Sequence, residues 1–102
     1  MLDVAPGMAF EAATRFRQHP NALFADLDGE VALFQSDTCD YLVLNETGSA
    51  IWAALASQPT FAEICDSLQR EYEVTPEDCR VGVESWLAIA LDRRVVELFA
   101  NY

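Results

Sequence analysis

An α+β fold is what this sequence predicts: a three-stranded antiparallel sheet followed by three helices, in a winged helix-turn-helix-like arrangement. Three observations lead there. Residues 23–44 read as three short apolar strands, separated by an Asp-Gly turn and a polar break. Helix-start residues then follow at Asn45, Thr60 and Thr75. Behind each, apolar side chains recur at helical spacing. The 102 residues suit one domain. The pattern divides them into an N-terminal arm, 1–22, partly ordered, and a folded domain, 23–102.

The arm has no firm period. MAFEAATRFRQ places Met8, Ala12 and Phe16 on one side of an amphipathic turn or two, and His19-Pro20-Asn21 then breaks it. LFADLD and VALFQ read as two strands. Asp28-Gly29 joins them, because Gly accepts positive φ and Asp bonds back to the turn backbone. After the polar break Ser36-Asp37-Thr38 comes a third strand, with Leu42 and Leu44 on one face and Tyr41 and Val43 on the other.

Asn45 ends that strand and caps the first helix, with Glu46 where the helix dipole favours an acid. Gly48 and Ser49 are poor helix formers, so close approach of this turn to the sheet is expected to require them. Ile51, Trp52 and Leu55 form the first apolar stripe. Thr60-Phe61-Ala62-Glu63 is a capping box, followed by Ile64, Cys65, Leu68 and Tyr72. Thr75-Pro76 opens the third helix, whose buried stripe is read as Cys79, Val83, Trp86, Leu87 and Ala90. Val95 to Phe99 is a short apolar end, either a fourth strand or a packed tail.

Composition narrows the function. The net charge is −11, from 17 acids against 6 bases, and such a field repels nucleic-acid phosphate. No apolar run approaches the roughly 20 residues that span a membrane. Cys39, Cys65 and Cys79 have irregular spacing, and one histidine is present, so no metal site is expected. An odd cysteine count without a signal peptide fits reduced thiols and a cytoplasmic location. His19 lies beside a proline in the arm, without the fixed geometry a base needs. No phosphate-binding or dinucleotide-binding glycine motif occurs. No catalytic residue and no cofactor are expected, which makes the chain a non-enzyme on its sequence.

DLDGEVALF, YLVLNETGSAIWAAL, TFAEICDSLQREYEV and a closing LDRRVVELF together resemble the PqqD-like family. The most telling piece is Leu44-Asn45-Glu46-Thr47-Gly48 followed by Ile51-Trp52. The resemblance covers residues 23–99. It departs where Arg93-Arg94 stands in place of a glycine that often ends the family's last helix. The resemblance implies a recognition element for the leader segment of a ribosomally made precursor peptide. Such a domain escorts its peptide to a modifying enzyme, such as a radical SAM protein, a cyclase or a leader protease. The leader joins as an extra strand beside the third strand and lies against the third helix. Carried onto this chain, the edge is Asp40, Tyr41, Leu42, Val43 and Leu44. The facing helix supplies Val81, Glu84, Ser85, Ala88 and Asp92, with small residues leaving room and acids meeting basic leader residues.

Two other readings stand beside it. An open sheet edge also pairs with a second copy of itself, which would make the chain a homodimeric structural subunit of a modification complex. A winged-helix DNA-binding regulator would need a basic second or third helix. Here the third carries Glu77, Asp78, Glu84 and Asp92 against Arg80.

Overall fold

The apolar strands of 22–44 bury one face of their sheet, and the capped helices that follow supply the cover. The computed structural model describes residues 10–28 and 30–99. Strands β2 (Ala22–Leu27), β3 (Glu30–Gln35) and β4 (Asp40–Leu44) form an antiparallel meander in the order β2-β3-β4. Helices α1 (Glu46–Ala54), α2 (Phe61–Glu71) and α3 (Pro76–Asp92) follow, with a short 3-10 turn at Leu55–Ser57. This is the expected fold, three strands then three helices.

The register sets the faces. Leu33 pairs with both Phe24 and Leu42, and Val31 pairs with Leu44. Val31, Leu33 and Leu44 are buried against Ile51, Trp52, Leu55, Phe61, Ile64, Leu68, Val83 and Leu87. Leu27 pairs with Glu30, leaving Asp28 and Gly29 as the connection. Asp28 has φ 58, in the left-handed region that hairpin turns require; Gly29 lies outside the described residues.

The helix starts follow the sequence. Gly48 N–H donates to Asn45 Oδ1 at 2.8 Å. In the capping box Glu63 N–H donates to Thr60 Oγ1 at 3.1 Å, and Thr60 N–H donates to Glu63 Oε1 at 2.8 Å. Asp78 N–H donates to Thr75 Oγ1, with Pro76 at the helix entry.

Two differences stand out. In place of an amphipathic turn, Arg15–Gln18 forms strand β1, paired antiparallel with β5 (Val96–Phe99); Met8 lies outside the described residues. Phe16 is fully buried in the core, and Arg17 Nε donates to Glu97 Oε2 at 2.6 Å. A lone apolar residue between two arginines gives no local strand signal; the partner strand supplies the pairing. Of the two alternatives for Val95–Phe99, the strand is the one formed.

The other difference is the end of α3. Arg94 N–H donates to the Leu91 carbonyl and Val95 N–H to the Ala90 carbonyl, both at 3.1 Å. This is a Schellman closure, which needs one left-handed residue after the helix. Arg94 supplies it at φ 62, and its carbonyl accepts from Gln35 Nε2. The arginine thus occupies the conformation that a glycine would adopt more cheaply.

Candidate edge-and-groove site

Strand β4 is an edge of its sheet, with no further strand beside it among the described residues. An unpaired edge presents a row of backbone N–H and C=O groups that another extended chain can match. Strand β2 forms the opposite edge. Its inward-facing Phe24 lies edge-on to Trp52 of α1, with ring centroids 5.9 Å apart.

Two side-chain contacts bring helix α3 to the two ends of β4, in the opposite chain sense. At one end Arg93 Nη1 lies 3.7 Å from Asp40 Oδ2. At the other, the indole of Trp86 crosses over Gly48, just past the end of β4. A Cβ on Gly48 would stand 2.9 Å from Trp86 Nε1 and 3.2 Å from Asn45 Oδ1, so any side chain there would force the indole to shift. Ser49 makes the expected approach to the sheet. It accepts from Val31 N–H at 3.1 Å and donates to the Leu44 carbonyl at 3.4 Å. The strand–helix junction is therefore fastened on two sides, to β3 by Ser49 and to α3 by the space at Gly48.

At 3.6 residues per turn, Gly82, Trp86, Ile89 and Arg93 fall on one stripe of α3. Trp86 and Arg93 fix that stripe as the one beside β4. Trp86 is half-buried and Ile89 is exposed, so the stripe is partly open and apolar. A cavity of about 560 Å³ continues from it, between the start of α1 and the facing ends of α2 and α3. Ile51, Leu68, Tyr72, Val74, Val83 and Trp86 give it apolar walls, with Asn45, Glu73 and Asp78 as polar ones.

The ten residues expected at the site are only partly brought together. Asp40 to Leu44 form the open edge; Leu42 and Leu44 turn toward the core, and Tyr41 and Val43 turn to the outer face. On α3, Ser85 and Asp92 flank the groove stripe and are exposed. Val81 and Ala88 lie further round the helix. Glu84 sits on the α2 side, where it pairs with Arg80 at 3.3 Å and its charge acts on Cys65. The groove stripe lies about a third of a turn round the helix from the face the sequence favoured. Gly82, Trp86, Ile89 and Arg93, which lie on the side of α3 toward β4, are not among the ten. Their spacing of four, three and four was the available signal, but Trp86 passed as core.

Cys65 and Cys79 are buried free thiols between α2 and α3, and Cys79 Sγ donates to the Cys65 carbonyl at 3.5 Å. Burial, with the Cys79 thiol beside it, pushes the Cys65 thiol up to about 12. Cys39 is exposed. Among the described residues no three His, Cys, Asp or Glu side chains are grouped as metal ligands, and no helix is long and apolar enough to cross a membrane.

Comparison with known proteins adds a family and two structures. Residues 30–96 match the family described as coenzyme PQQ synthesis protein D (PqqD). The structure of TbiB1 in complex with the TbiA(beta) leader peptide superposes with a TM-score of 0.77 at 26% identity, over 83% of this chain and 99% of that one. Lasso peptide synthetase B1 complexed with the leader peptide gives a TM-score of 0.72 at 23% identity, over 80% and 96%. No curated protein matches the sequence.

Proposed function

The chain belongs to the PqqD family, and from that premise we propose that it binds the leader segment of a ribosomally made precursor peptide. The leader adds as a strand to the β4 edge and is handed, still bound, to a modifying enzyme such as a radical SAM protein, a cyclase or a leader protease. One observation carries this reading: the unpaired β4 edge lies beside an open apolar stripe of α3. Two structures of the same fold contain a leader peptide, which supports it.

The physical division of labour is simple. Backbone hydrogen bonds to Asp40–Leu44 give affinity with little dependence on leader sequence. Selectivity comes from leader side chains directed into the groove, against Trp86 and Ile89, with Ser85 and Asp92 on its flank. The five acids on β2–β4 and their turns, and Asp92, favour a leader carrying basic residues. Nothing in this scheme asks the domain to perform chemistry. Its contribution is to hold one segment so that the remainder reaches the enzyme at high local concentration.

The test is titration of the leader encoded beside this chain, followed by backbone NMR. Binding in the micromolar range or tighter is expected, with the largest shifts at 40–44 and at Trp86 and Ile89. Ile89→Asp should weaken it about tenfold or more, about 1.4 kcal/mol, and N-methylation of alternate leader residues should abolish it. Shifts confined to the β2 edge, or no binding, would overturn the assignment.

A further inference from the structure

The outer face of the three-stranded sheet is apolar and uncovered among the described residues. Leu23, Phe34 and Tyr41 line up across β2, β3 and β4, with Ala25, Ala32 and Val43 in the next row. Tyr41 is 63% exposed, Val43 59%, Leu23 58% and Phe34 37%. A one-sided sheet ordinarily turns polar residues to water. Here the outward positions are as apolar as the inward ones, which marks an interaction surface.

Charge selects the occupant. Residues 22–44 contain Asp26, Asp28, Glu30, Asp37 and Asp40 and no Lys or Arg. The basic side chains are all arginines outside this segment: Arg15, Arg17, Arg70, Arg80, Arg93 and Arg94. The register turns Asp26 and Asp40 to the helix side, with Val31 and Gln35, so Glu30 is the acid on this face and Asp28 and Asp37 lie in the turns at its ends; two copies stacked through it would bring these acids together with no base from either sheet between them. A protein surface with an apolar centre and an Arg- or Lys-rich border meets both the shape and the field.

We infer that the outer face of β2–β3–β4 docks a second protein of that kind, and that this protein is the enzyme acting on the escorted peptide. The face itself is argued from burial and charge; the identity of its partner rests on the function proposed above. Strand β4 belongs to both surfaces. Its edge receives the leader, while its outward Tyr41 and Val43 belong to the docking face. A leader strand beside β4 lies in the plane of the sheet, and alternate leader side chains emerge on the same outer face. The enzyme therefore contacts domain and bound leader together, which distinguishes a loaded domain from an empty one.

The experiment uses the full chain and the purified peptide-modifying enzyme encoded beside it, with affinities measured with and without leader. Leu23→Thr and Phe34→Thr place a β-branched residue, which suits a strand, at exposed positions, so the sheet is retained; Glu30→Arg reverses the charge. The threonine variants should weaken enzyme binding tenfold or more with leader affinity unchanged, and Glu30→Arg should weaken enzyme binding severalfold. Raising salt should weaken wild-type binding, and leader should strengthen it. Unchanged enzyme affinity in all three variants would overturn the inference, as would no enzyme binding by the wild type. A dilution-dependent dimer dissolved by the threonine variants would assign the face to a second copy instead. Enzyme binding that appears only after residues 1–9 are deleted would assign it to that segment. Enzyme binding through this face without any leader binding would sustain the docking surface and overturn the proposed function.

Discussion

Gly48 shows how a residue that costs helix stability earns its place. Glycine is about 1 kcal/mol worse than alanine inside a helix, and Gly48 lies in the first turn of α1. Its Cβ-sized space is taken by the indole of Trp86 at 2.9 Å and the capping oxygen of Asn45 at 3.2 Å. Gly82 is the internal control, with nothing within 4 Å of an added Cβ. Gly82→Ala should therefore stabilise the protein by about 0.5–1 kcal/mol. Gly48→Ala should destabilise it by about 1 kcal/mol, because the overpacking cost of about 1–3 kcal/mol exceeds the propensity gain. Urea midpoints at constant slope would decide. Equal stabilisation by both substitutions would mean that Trp86 does not lean on Gly48, and the groove would lose the contact that sets its width.

Between elements, the α2–α3 interface encloses Cys65 and Cys79, and its pH response follows from burial. The Cys65 thiol is raised from an ordinary 9.0 to about 12. Below pH 9 it is neutral in both folded and unfolded chains and adds no pH dependence. Above pH 9 the unfolded chain ionises while the folded one stays protonated, so stability falls as pH rises from 9 toward 12. The one-proton limit of that slope is about 1.4 kcal/mol per pH unit. Urea unfolding of wild type and Cys65→Ala across this range should show the steeper decline in the wild type. Parallel lines would show that the thiol ionises as freely folded as unfolded. These elements were legible in the sequence because their signals are local. A capping box at Thr60 and a Pro at the entry to α3 declare helices within four residues. Strand β1 was not legible: one phenylalanine flanked by arginines becomes a strand only by pairing with Val96–Phe99, some 80 residues away. The site was half legible. Alternation gave the two faces of β4, whereas the groove face of α3 depends on helix orientation, which Trp86 and Arg93 set through contacts no local pattern encodes.

Across the whole molecule, the β1–β5 ribbon joins the start of the chain to the end of α3. Phe16 N–H donates to the Pro59 carbonyl and Phe61 N–H to the Thr14 carbonyl, tying the ribbon to the entry of α2. His19 N–H donates to the Val95 carbonyl, and Gln18 Nε2 to the Trp52 carbonyl. Val95 and Val96 are buried beside Phe16 in the core. The Schellman turn at Arg94 leads directly into this ribbon, so the ribbon also anchors the end of α3 from which Arg93 reaches Asp40. A chain cut at the boundary suggested by sequence, leaving 23–102, would lose Phe16, worth about 3–5 kcal/mol by itself. It would also strand the Pro59, Trp52 and Val95 carbonyls and the Phe61 amide without their partners. Against a total stability of about 5–15 kcal/mol, that loss should leave 23–102 without a cooperative fold. Its NMR amide spectrum is expected to collapse to narrow dispersion, and leader binding should vanish with it. A synthetic peptide of residues 10–22 added in trans should restore both, because the ribbon pairs through backbone groups and one buried ring. A dispersed spectrum and cooperative unfolding for 23–102 alone would make the ribbon dispensable, and the groove would then have to be held by Trp86 against Gly48 without support from the chain's first strand.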